Sequence, residues 1–291
     1  MQLSTTLNPF ILPECEKAKV CQAELENYKS LGFDILDCIF CNGVGENSPL
    51  VKSNWQQWGE TLAELSLKTG IKYKQCHLPY YDFAAPDKGI DEKFEEWVRR
   101  SIIIASMLKA EWIVGHPSTA WGEANMPKAS RDINIKYFSP HVELSQKLGI
   151  GIAIENMADF ADWPYPRGYC ATTEELCDLV DSFNSDHVGI CWDFGHANLM
   201  YKDQNPCLRT IGKRLKAVHV HDNHGKRDDH LPVFFGNIKW EPMMHTLKEI
   251  AYTGEFSFEV KRIPINLPLE MRNAQWQYVR KSGEYLLSLI N

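Results

Sequence analysis

Between Leu215 and Trp240 the chain reads LKAVHVHDNHGKRDDHLPVFFGNIKW, and the twelve residues from His219 to His230 hold four histidines and three aspartates. The stretch opens as an apolar strand and ends as a polar loop. The two-residue period of a strand puts Ala217, His219 and His221 on one face, with Val218 and Val220 on the other. Imidazoles carried inward on a strand that then breaks into Asp and His present neutral nitrogen beside anionic oxygen. Zn, Mn, Fe and Co accept that donor mixture. One or two histidines in a solvated loop are commonplace, so the reading depends on what other strands supply.

Six strand-like runs in a row end in a possible ligand: His77, His116, Glu155, Asp193, His219 and Glu259. His196 lies three residues after Asp193, and Asp228 and His230 follow in the loop beyond His219. A lone strand-end Glu or His is more often a hydrogen-bonded residue than a ligand. Six out of six reverses that weighting, because carboxylates are rarely buried unless paired or bound to a cation. Two positions earlier, on the same strand faces, stand the small residues Ala153, Cys191, Ala217 and Ser257, consistent with space beneath a metal layer.

The elements that must position these groups alternate. Strands are expected over 2–7, 33–40, 71–77, 111–116, 151–155, 187–193, 215–221 and 256–260. Helices are expected over 14–31, 54–69, 91–108, 134–148, 172–183, 206–214, 240–252 and 267–289. Gly32, Gly70 and Gly149 stop three of the helices, and Thr172-x-x-Glu175 is a capping-box pattern. Eight strand–helix units argue for a parallel sheet closed into a single (β/α)8 TIM barrel over 1–291, whose site lies at the carboxyl ends of the strands. An open doubly wound sheet is the runner-up; it lacks a glycine-rich phosphate loop after the first strand.

Composition fits that size: 291 residues, 44% hydrophobic and 24% charged, with net charge −7. The acidic balance disfavours nonspecific nucleic-acid binding, and a nucleic acid is kept only as a second class of partner. No apolar run reaches membrane length, and the first residues lack a signal-peptide pattern. Nine scattered cysteines, an odd number, suggest reduced thiols in a cytoplasm.

The motifs together resemble the xylose-isomerase-like TIM-barrel superfamily, which includes sugar isomerases, ketose epimerases and endonuclease IV. Those that carry the resemblance are His77-Leu-Pro-Tyr, Gly115-His116-Pro, Ile154-Glu155-Asn156, Trp192-Asp193-Phe-Gly-His196, His219-Val-His-Asp222, Asp228-Asp-His230, Gly236-Asn-Ile-Lys-Trp240 and Phe258-Glu259. They span nearly the whole chain. The resemblance implies a core metal site of Glu155, Asp193, His219 and Glu259, with the two glutamates as acid and base. Similarity to endonuclease IV implies two further sites, one using His77 and His116, the other His196, Asp228 and His230. The cofactor implied is therefore one to three divalent ions (Zn, Mn, Co, Fe or Mg).

The expected activity is a metal-dependent isomerisation or epimerisation of a sugar or sugar phosphate, by proton transfer beside a carbonyl. A multinuclear zinc phosphodiesterase and a polyol or hydroxy-acid dehydratase are the alternatives. His196 and Lys261, which shares the parity of Glu259, are candidates for substrate oxygens. Trp163, Tyr165 and Tyr169 are candidates for a lid over a sugar ring, and Arg167 and Arg227 for a substrate phosphate. The partner expected is a small sugar, with no membrane; barrel mouths are often completed by a neighbouring chain, which leaves room for a homo-oligomer.

Overall fold

A computed structural model describes residues 1–7, 17–41, 44–85, 90–122, 126–159, 167–260 and 267–290. Eight parallel strands close into one barrel: β1 (Gln2–Leu7), β2 (Ile35–Ile39), β3 (Lys72–His77), β4 (Trp112–Gly115), β5 (Gly151–Glu155), β6 (Val188–Asp193), β7 (Leu215–Val220) and β8 (Glu255–Phe258). Closure is made by β1 against β8, with Gln2 opposite Glu255 and Ser4 opposite Ser257. The helices are α1 (Ala18–Ser30), α2 (Trp55–Thr69), α3 (Glu92–Met107), α4 (Met126–Leu148), α5 (Thr173–Ser182), α6 (Phe194–Met200), α7 (Asn205–Ile211), α8 (Trp240–Glu249) and α9 (Leu269–Ser288). None is long and apolar enough, among the described residues, to cross a membrane.

The core has two parts, as a filled barrel requires. The larger lies between strands and helices and includes Phe33, Trp192, Trp240, Phe256 and Phe258. The smaller lies inside the barrel, where Val114, Ala153, Cys191 and Ala217 pack with Trp112. The strand-end ligand candidates stand directly above this layer of small side chains.

Local chemistry sets the helix starts. Asp91 caps α3 by accepting from Lys93 N and Phe94 N, at 2.9 and 3.1 Å. Thr172 caps α5 through Glu175 N, as expected, but Glu175 reaches back to Cys170 N rather than to the cap residue itself. Two helices differ from expectation. α4 begins at Met126, eight residues ahead of the expected start, because Pro127 falls in its first turn, where no helical N–H partner is lost. α6 has no counterpart in the pattern. It is a short helix capped by Asp193, whose Oδ1 accepts from His196 N at 2.7 Å. The three-residue spacing of Asp193 and His196 is thus a cap and its first turn.

Candidate metal centre

The barrel register brings the candidates to one level. His77 lies opposite Val114, Glu155 opposite Cys191, Asp193 opposite His219, and His219 opposite Ser257. Glu259 follows β8, its N–H still bonded to Val220 O at 3.0 Å. One donor atom each from Glu155, Asp193, His219 and Glu259 lies within 4.8 Å of the others, and all four residues are buried. His219 Nδ1 is the meeting point, 3.3 Å from Glu155 Oε2, 3.4 Å from Glu259 Oε2 and 3.9 Å from Asp193 Oδ2. Neither ring nitrogen of His219 makes a hydrogen bond among the described residues.

Three carboxylates converging on one imidazole nitrogen, away from water, repel one another unless a positive charge stands among them. The donor set and the orphaned ring nitrogen therefore fit a divalent cation. Without a metal, protons take that role. Burial lowers the affinity of His219 for a proton, but Cys191, Glu155 and Glu259 outweigh it and hold its pKa well above the usual value. Burial likewise raises Glu155, and His116 and His219 outweigh it, leaving the carboxyl well below its ordinary range.

The further candidates lie on either side. His77 Nε2 and His116 Nε2 both approach Glu155 Oε2, at 3.2 and 3.0 Å, and make a second donor group with it, in which His77 and Glu155 are buried and His116 is partly exposed. On the other side, His230 Nε2 meets Asp228 Oδ2 at 2.8 Å, and His196 Nε2 stands 3.6 Å from the same oxygen. His196 Nδ1 also faces Glu155 Oε1 at 3.4 Å. Burial lowers His196, while Asp193, Asp228 and Glu155 outweigh it and push its pKa up to about 10. All nine expected ligand positions thus stand in one contiguous cluster.

Several residues of the cluster fall outside the expected ligand set. His221 is fully buried, bonds Asp193 Oδ2 at 2.9 Å and stacks on His230 with ring centroids 3.9 Å apart. It is admitted by Gly195, where a Cβ would come within 1.8 Å of the imidazole. Its inward parity was legible; its partner was not. Cys41 Sγ lies 2.8 Å from His77 Nδ1 and orients that ring from behind. Asn156 ties β5 to β6: its Oδ1 accepts from Asp193 N at 2.6 Å, its Nδ2 donates to Asp193 O, and its own carbonyl faces His196 Nδ1 at 2.8 Å. Asp222 organises the loop after β7. Its Oδ1 accepts from Asn223 N and Ile238 N, and its Oδ2 from Phe234 N and Trp240 Nε1.

The substrate-contact candidates fare unevenly. Lys261, Trp163 and Tyr165 lie outside the described residues. Arg227 is exposed on the loop next to Asp228. Two expectations are corrected. Tyr169 is buried at 2% exposure, with its N–H on Thr119 Oγ1, so it belongs to the core and not to a lid. Arg167 makes a two-pronged pair with Glu175, both contacts 2.7 Å, so its guanidinium is taken up in bracing α5 and not in phosphate binding.

Comparison with known proteins bears on the family. A protein of uncharacterised function from Methanocaldococcus jannaschii is 34% identical over 198 residues, covering 64% of this chain; the chain spans less than two thirds of that relative, 64% of its length. A D-psicose 3-epimerase from Enterocloster bolteae is 32% identical over 89 residues, 30% of this chain and 28% of that protein. The crystal structure of a D-tagatose 3-epimerase-like protein superposes with a TM-score of 0.77 at 25% identity, covering 100% of this chain and 98% of the other. Residues 25–281 match the xylose isomerase-like TIM barrel family as a whole, and the chain belongs to that family.

Proposed function

We propose that the chain is a divalent-metal-dependent isomerase or epimerase of a sugar or sugar phosphate, moving a proton next to a carbonyl at the mouth of the barrel. The observation that carries this reading is the convergence of Glu155 and Glu259 on His219 Nδ1, at 3.3 and 3.4 Å. The similarity to a D-psicose 3-epimerase and to a D-tagatose 3-epimerase-like protein supports it. Glu155, Asp193, His219 and Glu259 would hold the ion. When bound, it would supply positive charge that polarises the substrate carbonyl.

The chain's own groups do the rest. Glu155 and Glu259 take a proton from carbon and return it, one as base and the other as acid. Nearby histidines keep Glu155 ionised. His196, which faces Glu155 Oε1 from α6, is placed to donate to a substrate oxygen. Burial of all three side chains keeps bulk water from competing for the proton. The test is incubation of metal-loaded protein with a panel of ketoses in deuterated water. The expected result is an epimer or isomer carrying solvent deuterium, lost on chelation. No exchange with any ketose or ketose phosphate would refute the reading.

One observation favours a second reading. His77 and His116 with Glu155, and His196 and His230 with Asp228, flank the core group in the manner of a multinuclear hydrolase. Metal-dependent cleavage of a duplex with an abasic site would favour it over the first.

A further inference from the structure

Beneath the metal-ligand candidates, on the inward face of β2, sits a carboxylate that neither proton transfer nor ligation uses. Asp37 has no exposure to solvent. Its Oδ2 accepts from Gln75 Nε2 at 2.6 Å and from Ser257 Oγ at 3.4 Å, and lies 3.4 Å from His219 Nε2. Its Oδ1 has no hydrogen-bond partner among the described residues. A wholly buried carboxylate, half satisfied, is costly to keep unless it acts on a neighbour. The neighbour is the one imidazole of the core group, and it is approached from the side opposite its converging carboxylates.

We propose that Asp37 is a positioning residue for the metal centre: by facing His219 Nε2 it keeps the ring proton on that nitrogen, and so leaves the Nδ1 lone pair aimed at the space shared with Glu155, Asp193 and Glu259. An imidazole has two nitrogens and, when neutral, one proton. A carboxylate beside one nitrogen stabilises the tautomer with the proton there, and also increases the donor strength of the other. Gln75 on β3 and Ser257 on β8 fix the carboxylate in turn. β2 thereby contributes to the site without a metal donor of its own among the described residues. The inference rests on the metal-dependent reading above.

The experiment compares wild type with Asp37→Asn by titrating Zn or Mn into chelator-stripped protein, and by following denaturation of both metal-free chains. Asn keeps an oxygen for Gln75 but removes the charge. The expected result is metal affinity weakened roughly 10- to 100-fold, with metal-free stability unchanged or increased. Asp37→Glu should recover part of the affinity. Equal affinity in the variant overturns the proposal, and so does a parallel loss of stability and affinity, which marks a merely structural carboxylate. If Asp37→Asn does not fold, nitrogen-15 spectra of Zn-loaded wild type decide, with His219 assigned by its loss in His219→Gln. Metal on Nδ1 with the proton on Nε2 supports the proposal, and the reverse overturns it. A wild type that takes up no divalent ion refutes instead the metal-dependent reading on which it rests.

Discussion

Asp222→Asn should loosen the loop that carries Asp228 and His230 while sparing the four core donors. Asp222 is fully buried and accepts four hydrogen bonds, two per oxygen, at 2.9 to 3.2 Å. An amide offers only one acceptor. Whichever way it turns, its NH2 group points at two N–H donors, either those of Phe234 and Trp240 or those of Asn223 and Ile238. Hydrogen bonds to a charged acceptor contribute about 1.5 kcal/mol or more each, so losing two costs roughly 3 kcal/mol. In a domain of this size that lowers the melting temperature by roughly 5 °C. The core donors come from β5 to β8; the loop meets them at the Glu259 carbonyl, 2.9 Å from His230 Nδ1, while the Glu259 N–H stays on Val220 O. Thermal denaturation of the metal-free chain and metal counting on the same sample check both halves. The variant is expected to melt earlier, keep the core ion and lose any ion held by Asp228 and His230. An unchanged melting temperature would refute the role given to Asp222.

Gly195→Ala drives a methyl into His221, 1.8 Å from its ring at the nearest atom, so the imidazole must leave Asp193; overpacking of this kind costs about 1–3 kcal/mol, read as a lower denaturant midpoint. Glu155→Gln and Glu259→Gln should each lower turnover of a responsive sugar by roughly 100-fold or more, the usual scale for a general acid or base, and the effect belongs in kcat more than in KM. Glu96 provides a pH test away from the site. Its hydrogen bonds to Arg99 lower its pKa to about 2 in the folded chain. The stability it contributes is thus present above the unfolded value near 4.5 and is lost as pH falls through about 2. The pair is on the surface, so solvent screening limits it to less than about 1 kcal/mol. The stability gap between wild type and Glu96→Gln should be full at pH 7 and should close over that acid window.

The barrel was legible because parallel strands with helical crossovers leave two strong periodicities, and because buried strands end in abrupt polar groups. His77, Glu155 and Asp193 are the last residues of their strands in both the pattern and the structure. α6 was not legible, since seven residues cannot display a helical stripe, and Asp193 was read as a strand end without its second role as a cap. Asp37 was passed over for a related reason. It lies inside the apolar run FDILDCIF, short of the strand end, and the inward face of β2 is only recognisable once Gln75 and His219 are seen around it. Tyr169 and Arg167 show the opposite error. Composition assigned a Pro- and aromatic-rich segment to ligand contact, whereas packing and the pair with Glu175 had already used both side chains.

The most direct test of the central claim, that the strand-end donors hold a divalent ion, is elemental analysis of untagged protein together with Glu155→Ala and Glu259→Ala. The account predicts at least about one equivalent of divalent metal per wild-type chain, as a closed set of buried carboxylate and imidazole donors requires, and its loss in both variants. Close to one equivalent supports the epimerase-like site, and two to three of Zn support the multinuclear reading. A wild type that takes up no divalent metal when loaded, or metal retained in both variants, would contradict it.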